Sequence, residues 1–188
     1  LCLKYKNHEG LLSIEDTLNI FAQLKNKSEL VSSFFFIYEG QNRASKADHS
    51  RLVKFYFEKR NKASDFNFIY HGKSLNVSHN SSLINVNSEL IPGSKSFSLF
   101  KFLNITELNL SHSNFNELNQ LVELKLEVLN ISHTPVMDLR PLLQIASIKK
   151  VTLSKNQMKI ARGQWPFEID YVQTSSHEDP VLKALKRL

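Results

Sequence analysis

Apolar residues recur along the middle of the chain with a fixed period of 21 residues. Residues 108–118 read LNLSHSNFNEL, and residues 129–139 read LNISHTPVMDL. At eight positions, the second unit has a residue of the same polar or apolar character as the first unit, 21 residues later. The pairs are Ile105 and Leu126, Leu108 and Leu129, Leu110 and Ile131, Ser113 and Thr134, Phe115 and Val136, Leu118 and Leu139, Leu121 and Leu142, and Leu124 and Ile145. A third unit, one residue longer, continues from Ile148 to Ala161. A period of this length predicts stacked copies of one supersecondary unit.

Each unit combines two local patterns. The segments LNL and LNI alternate apolar and polar residues as a β-strand does, whereas Leu118, Leu121 and Leu124 recur every three residues, as in a tight helical turn. A unit is therefore predicted to contain a short strand, a turn, and a 3₁₀ or short helical return. The strand segment is echoed at residues 75–80 and 151–156. The expected parallel sheet runs through Asn76, Asn109, Asn130 and Thr152.

Both ends of this array need cover, because terminal repeats expose their core. Before it, FNFIYHGKSL predicts a strand and a turn that lead into the first unit. After it, MKIARGQWPFEIDYV predicts a helical turn and a last strand. The following DPVLKALKRL predicts a helix with Asp179 as N-cap and Leu182, Leu185 and Leu188 on one stripe. The distance from Leu75 to Leu108 is half a repeat too long, which indicates an insertion within SELIPGSKSFSLFKF.

The first third of the chain has a different pattern. SIEDTLNIFAQLKN predicts a helix capped by Ser13. ADHSRLVKFYFEKRNK predicts a second helix, although its VKFYFEK portion also alternates as a strand does. Residues 28–38 fit a helix or a strand equally well. The chain is thus expected to comprise a mainly helical region (1–65), the repeat array with its cap (66–179) and a final helix (180–188).

The repeated units resemble the leucine-rich-repeat family, whose pattern is L-x-x-L-x-L-x-x-N-x-L, in its short bacterial, internalin-like form. The resemblance covers about residues 75–160. It implies an α/β fold: a short solenoid with a parallel sheet, preceded by a mainly helical N-terminal cap or small domain. The asparagine of the family pattern falls on Asn80 and Asn156, and Ser113 and Thr134 replace it in the middle units.

Composition adds few constraints. The 188 residues are 41% hydrophobic, enough for a sizeable core, and the net charge of +6 is concentrated between Arg43 and Lys62. We expect a solvated helix face there rather than a nucleic-acid site. The single cysteine, Cys2, excludes an internal disulfide framework, and no apolar run is long enough to span a membrane. The first residue is Leu, so a missing leader is expected and both a cytoplasmic and a cell-envelope location stay open.

Candidate chemistry is sparse. HGKS at residues 71–74 lacks the glycine that a phosphate-binding loop needs at position 67, and the signatures of hydrolases, metalloproteases and kinases are absent from the sequence. The best constellation is the column His79, His112, His133 and Lys155 at the ends of successive strands. Imidazoles so placed could share a metal, but the slot could equally tolerate any polar residue. We expect no metal, no cofactor and no catalysis, with independent, partly exposed imidazoles.

The resemblance implies binding of another protein through the concave face of the sheet. The expected exposed positions are Asn76, Glu107, Asn109, Ser111, Val128, Asn130, Ser132, Lys150, Thr152 and Ser154. These residues offer only about 200 Å², against roughly 800 Å² per partner in a stable interface. We therefore expect a flank to contribute, either residues 55–60 or residues 165–171.

Two alternatives to a protein-binding module stay open. The chain could be a regulatory or targeting segment of a larger bacterial signalling protein, for example one linked to a kinase. Alternatively, the N-terminal region could hold a small ligand or metal site, for which a pocket with convergent ionisable groups within residues 1–70 would be needed.

Overall fold

The computed structural model describes residues 13–23, 45–61, 66–84, 86, 98–161 and 163–172. Within these residues, a six-stranded sheet follows chain order. Its strands are β1 (Ile69–His71), β2 (Ser74–Asn76), β3 (Glu107–Asn109), β4 (Val128–Asn130), β5 (Lys150–Ser154) and β6 (Glu168–Val172). Strands β1 and β2 form an antiparallel hairpin, and every later pair is parallel. With its helices, the chain belongs to the α/β class.

The strand register follows the period of the sequence. Leu108 lies opposite Leu129, and Leu129 lies opposite Val151. The expected parallel alignment is confirmed at all four positions, which are Asn76, Asn109, Asn130 and Thr152. A shift of one residue would turn each buried leucine to the opposite face, so burial of one face fixes this register.

The core lies on one side of the sheet, beneath the strands. All sixteen residues of the eight paired positions are buried, including the hydroxyl-bearing Ser113 and Thr134. The return segments contain 3₁₀ turns at Leu99–Leu103, Leu118–Leu121 and Arg140–Gln144. The 3₁₀ return predicted from the spacing of Leu118, Leu121 and Leu124 is thereby confirmed.

Among the described residues, two helices precede the sheet. Helix α1 (Ile14–Gln23) begins after Ser13, whose Oγ accepts a hydrogen bond of 3.0 Å from the Asp16 backbone N–H, as a capping residue does. Helix α2 (Lys46–Arg60) is also as predicted, and the strand alternative for VKFYFEK is wrong. On α2, Phe57 is fully buried, with its ring centroid 4.8 Å from that of Phe100. Aromatic packing therefore joins α2 to the return segment before β3.

The segments that flank the parallel strands also match their predictions. The β1–β2 hairpin turns at Gly72 (φ +60°), so HGKS forms a hairpin turn between strands and is not followed by a helix. Helix α3 (Lys155–Ile160) and strand β6 form the predicted helical turn and last strand. The predictions for residues 28–38 and for the helix at 180–188, including Asp179, fall outside the described residues, as does most of the insertion before β3. In the described ranges, no helix has the length and apolar character needed to cross a bilayer.

Candidate functional site

One face of the parallel sheet carries polar side chains. They alternate along β2–β5 with buried leucine and valine residues, because successive strand residues point to opposite faces. We call this surface the polar face, and its residues are Asn76, Glu107, Asn109, Val128, Asn130, Lys150 and Thr152. All seven are half-buried or exposed. They are seven of the ten residues that the sequence placed in a binding surface.

The other three expected positions are not exposed. Ser111, Ser132 and Ser154 keep only 7%, 1% and 8% of their surface accessible, so the prediction of their exposure is wrong. Strands β3 and β4 end at Asn109 and Asn130, and the backbone then turns over the core, so the alternation stops before the serines. Ser154 ends β5 and precedes α3, where its backbone N–H and hydroxyl both bond to Gln157 Oε1.

The asparagine row of the polar face has a fixed orientation. The side-chain Oδ1 of Asn76, Asn109 and Asn130 each accepts a bond of 3.0 Å from the backbone N–H two residues later. This arrangement is an Asx turn, in which the side-chain amide oxygen accepts the hydrogen bond and the amide nitrogen takes no part. Within the described part of the chain, the three Nδ2 groups have no hydrogen-bond acceptor. The result is a row of amide donors, spaced by the distance between strands.

Charge on the polar face is concentrated beside its last strand. Lys150 Nζ lies 3.2 Å from Asp170 Oδ2 and 3.3 Å from Glu168 Oε1, which bridges β5 to β6. Hydrogen bonds to Asp170 and then Glu168 raise the pKa of Lys150, and the bond from Lys150 lowers the pKa of Asp170. Lys150 is therefore held in place by two carboxylates rather than projecting as an isolated cation.

The histidine column occupies strained turns. His79, His112 and His133 have φ values of 60°, 55° and 58°, the left-handed region that favours Gly, Asn, Asp and His. The slot is thus selective for residues that accept this backbone, which corrects the expectation that any polar residue is tolerated. Lys155, the fourth expected member, differs because it opens helix α3.

The imidazoles of the column are stacked on one another. The His79 and His112 ring centroids lie 4.6 Å apart with planes inclined by 6°, and those of His112 and His133 lie 4.3 Å apart at 13°. Burial, and then the proximity of His133 and His79, lower the pKa of His112. The rings are therefore not independent, contrary to expectation. Stacked rings face one another instead of converging on a point, and the described residues contain no group of three or more His, Cys, Asp or Glu placed to hold a metal ion.

A polar ladder closes the turns beneath the histidines. Asn80 Nδ2 donates to Val77 O at 2.8 Å, and Ser113 Oγ and Thr134 Oγ1 donate to the carbonyl three residues before each of them. These bonds help to satisfy backbone carbonyls that the turns bury, and Ile131 O also accepts a bond of 3.3 Å from the Thr134 backbone N–H.

In the unit that starts at Ile148, the assignment of the ladder to Asn156 is wrong. Asn156 is exposed, and the buried Gln157 replaces it, with Nε2 at 3.0 Å from Ile131 O and 3.2 Å from Thr134 O. The helix that opens at Lys155 turns position 156 toward solvent. The signal that could have identified Gln157 is the spacing Ser154-x-x-Gln157, a capping box.

The expected N-terminal flank, residues 55–60, is only partly accessible: Phe55 and Glu58 are half-buried, but two of its aromatic side chains are not accessible. Tyr56 and Phe57 are 1% and 0% exposed, because α2 buries them against the core. The other expected flank is accessible: Trp165 and Phe167 are half-buried, and Tyr171 is 48% exposed.

Comparison of the chain with protein-family models, with curated proteins and with solved structures finds no match.

Proposed function

We propose that this chain is a leucine-rich-repeat solenoid that binds another protein, without catalysis, through its polar face, which is the concave face of the solenoid. Support for the solenoid comes from the agreement between the 21-residue sequence period and the register of β3 with β4. Further support comes from the burial of every paired repeat position and from the 3₁₀ turns in the return segments. Units that each bury half of a core are stable only when stacked.

The observation that carries the binding proposal is the row of amide donors. Asn76, Asn109 and Asn130 stand on adjacent strands, so their Nδ2 groups repeat at about 4.8 Å. Their Asx turns hold them before a partner arrives, and a held side chain loses less conformational entropy on binding than a mobile one. A partner that presents carbonyl or carboxylate oxygens to this row satisfies donors that are otherwise left to water.

Size requires that the interface extend beyond the polar face. The face alone offers at most about 200 Å², and burial of Ser111, Ser132 and Ser154 removes part of what the sequence had suggested. A stable interface buries roughly 800 Å² per partner, which is four times that area. The neighbouring surface from Trp165 to Tyr171 adds aromatic side chains, the type that dominates binding energy. The proposed partner therefore covers the polar face and this aromatic flank together.

The proposal is tested by placing a photo-crosslinking amino acid at Asn130 in the full chain. Gln144 is the control position, because it is exposed on a return segment and away from the polar face. We expect a discrete protein to crosslink from position 130 and not from position 144. Equal crosslinking from both positions would contradict the proposal.

Affinity for the crosslinked partner then provides a second measurement. Asn109→Arg with Asn130→Arg should weaken binding about tenfold or more, a loss of at least roughly 1.4 kcal/mol, because bulky cations replace the amide donors. The matched control is Asn119→Arg with Gln144→Arg, two exposed positions on return segments. An equal loss in both variants would show that added charge, and not the polar face, is responsible.

A further inference from the structure

The accessible part of the histidine column is a row of imidazole edges. His79 and His112 are exposed, and His133 is half-buried. Neighbouring rings cover each other's faces, with centroids 4.6 Å and 4.3 Å apart, so the middle ring meets solvent at its edge. The hydrogen-bonding edges of successive units therefore lie side by side, and none of them belongs to the seven residues of the polar face.

Backbone hydrogen bonds between units fix the place of each ring. The N–H of His112 donates to Ser132 O at 3.1 Å, as the N–H of His79 does to the unit after it. The series ends at His133, whose backbone N–H has no acceptor within the described residues. The next carbonyl in the series belongs to Ser154, the N-cap of α3, and an N-cap carbonyl accepts the first bond of its own helix. One further donor is thus left at the last ring of the column.

The charges that act on the column are positive. Burial lowers the pKa of His112 first, and the proximity of His133 and His79 lowers it further, with no carboxylate among the causes. Lys155 continues the column in the next unit as an exposed cation at the start of α3. The column therefore gathers positive charge each time one of its rings takes up a proton.

The acidic side chains of the two middle units lie elsewhere or already have partners. Glu107 begins β3 and Glu127 directly precedes β4, whereas the column follows the opposite ends of these strands. The remaining acids are Glu117, which accepts a bond from Gln120, Asp138, which bonds to Arg140, and Glu123, which lies on the return segment after β3. A protonated column thus obtains its counter-charge from solution.

The geometry of the rings suits an oxyanion. Metal ligands must converge on one point, which these stacked rings do not, but the several oxygens of a phosphate group can accept bonds from donors that stand side by side. Hydrogen bonds between charged groups are roughly twice as strong as neutral ones. His112 and His133 form the closest pair, and the unbonded backbone N–H belongs to the second of them. Two imidazolium charges match the charge of a divalent anion.

We propose that the edge of the histidine column binds a compact divalent oxyanion of the phosphate type, held between the imidazoles of His112 and His133. The backbone N–H of His133 is a further donor, and Lys155 adds positive charge at the end of the row. The anion and the protons bind together. This site is independent of the protein binding proposed for the polar face, because it uses none of the seven residues of that face.

The affinity for the anion should therefore rise as the pH falls. A bound anion favours the charged form of an imidazole, so it raises the pKa of His112. Each proton taken up changes the affinity by up to about tenfold per pH unit. Sulfate is the first probe, because it keeps its double charge over the range in which histidine titrates, and any pH dependence of its binding comes from the protein.

The measurement is the protonation of each histidine in the full chain, followed by NMR of the imidazole nitrogens in sodium sulfate and in sodium chloride of equal ionic strength. We expect sulfate to move the titration of His112 to higher pH. His71, exposed on β1 and outside the column, is the internal control and should titrate alike in both salts. Sulfate should bind at least about tenfold more tightly one to two pH units below neutrality than at neutral pH.

Two variants locate the site. His112→Asn removes a titrating donor and keeps a residue that accepts the left-handed backbone, so it should weaken sulfate binding about tenfold or more. His71→Asn is the matched control and should leave sulfate binding unchanged. Equal losses in the two variants would overturn the proposal. An equal effect of sulfate on the titrations of His112 and His71 in the parent chain would also overturn it, whether or not the variants fold.

The source of the oxyanion is distinguished with inorganic phosphate and with a short peptide that carries one phosphoserine and no other acid. Similar affinities for the two probes support a site for the free anion, and tighter binding of the peptide supports a site for a phosphorylated protein. Absence of binding by sulfate, phosphate and the peptide at the lower pH would overturn the proposal.

Discussion

At the scale of single residues, the turns after the strands depend on a conformation that few side chains accept. His79, His112 and His133 all lie at positive φ, where most L-residues are strained by about 1–2 kcal/mol. The same turns bring the three imidazoles within 4.3–4.6 Å of their neighbours. Backbone geometry and ring stacking are therefore linked at these turns.

This link predicts a dependence of stability on pH. The pKa of His112 is lowered from 6.5 by burial and by its two histidine neighbours, and the nearest further charge along the column, Lys155, is also a cation. The unfolded chain therefore binds a proton at this histidine more readily than the folded chain does. The contribution of neutral His112 to the free energy of unfolding is fully present above pH 6.5 and is lost as the pH falls toward the lower folded-state pKa. Urea unfolding at a pH above 6.5 and at about one unit below it should show this decrease.

His112→Asn isolates the contribution of the central ring. Asparagine tolerates the left-handed conformation and does not titrate, so the variant keeps the turn and removes the charge. We expect its stability to fall less than that of the parent chain over the same pH interval. Equal pH dependence in the two proteins would show that the stacked column does not couple protonation to folding.

Core burial supplies the second prediction at this scale. Leu129 is fully buried between Leu108 and Val151 in the neighbouring strands. Leu129→Ala should lower the free energy of unfolding by about 2–5 kcal/mol, since it leaves a cavity in the core. Ile84→Ala, at a side chain 52% exposed, should change it by much less. Urea unfolding measures this free energy. A change near zero for Leu129→Ala would show that Leu129 does not lie in the core.

At the scale of elements, each turn is held by one polar side chain, and the last of these is Gln157. Gln157→Ala leaves the buried Thr134 carbonyl without a donor and removes one of the donors to the Ile131 carbonyl, which should cost about 1–3 kcal/mol of stability. Asn156→Ala, one residue earlier and exposed, should stay within about 0.5 kcal/mol of the parent. If Asn156→Ala lowered the stability more than Gln157→Ala, the ladder position would belong to Asn156, as the family pattern had indicated.

The elements also show what could be predicted from the sequence and what could not. Strand positions, register and 3₁₀ returns were predictable, because burial of one face imposes a strict period on Leu108, Leu129 and Val151. The exposure of Ser111 and Ser132 was wrongly predicted, because strand alternation does not show where a strand ends. The helix at Lys155 shifted the ladder to Gln157, since a change of element moves each side chain to a new direction.

At the scale of the whole molecule, the polar face and the aromatic flank from Trp165 to Tyr171 meet at one strand. Strand β6 stands between them, since it carries Glu168 and Asp170 beside Lys150 on the polar face, and Tyr171 at the open end of the core. A partner bound to the polar face would therefore meet the aromatic flank across this one strand.

The polar face, the buried core and the polar ladder all require that the repeats stack as parallel strands one period apart. The most direct measurement is of scalar couplings through backbone hydrogen bonds by NMR, in a deuterated, isotopically labelled sample. We expect a coupling from the Leu110 N–H to the Asn130 carbonyl, a bond of 2.8 Å, and from the Ile131 N–H to the Thr152 carbonyl, a bond of 3.1 Å. Coupling of either N–H to a different carbonyl, or coupling to none with the amide exchanging freely with water, would contradict it.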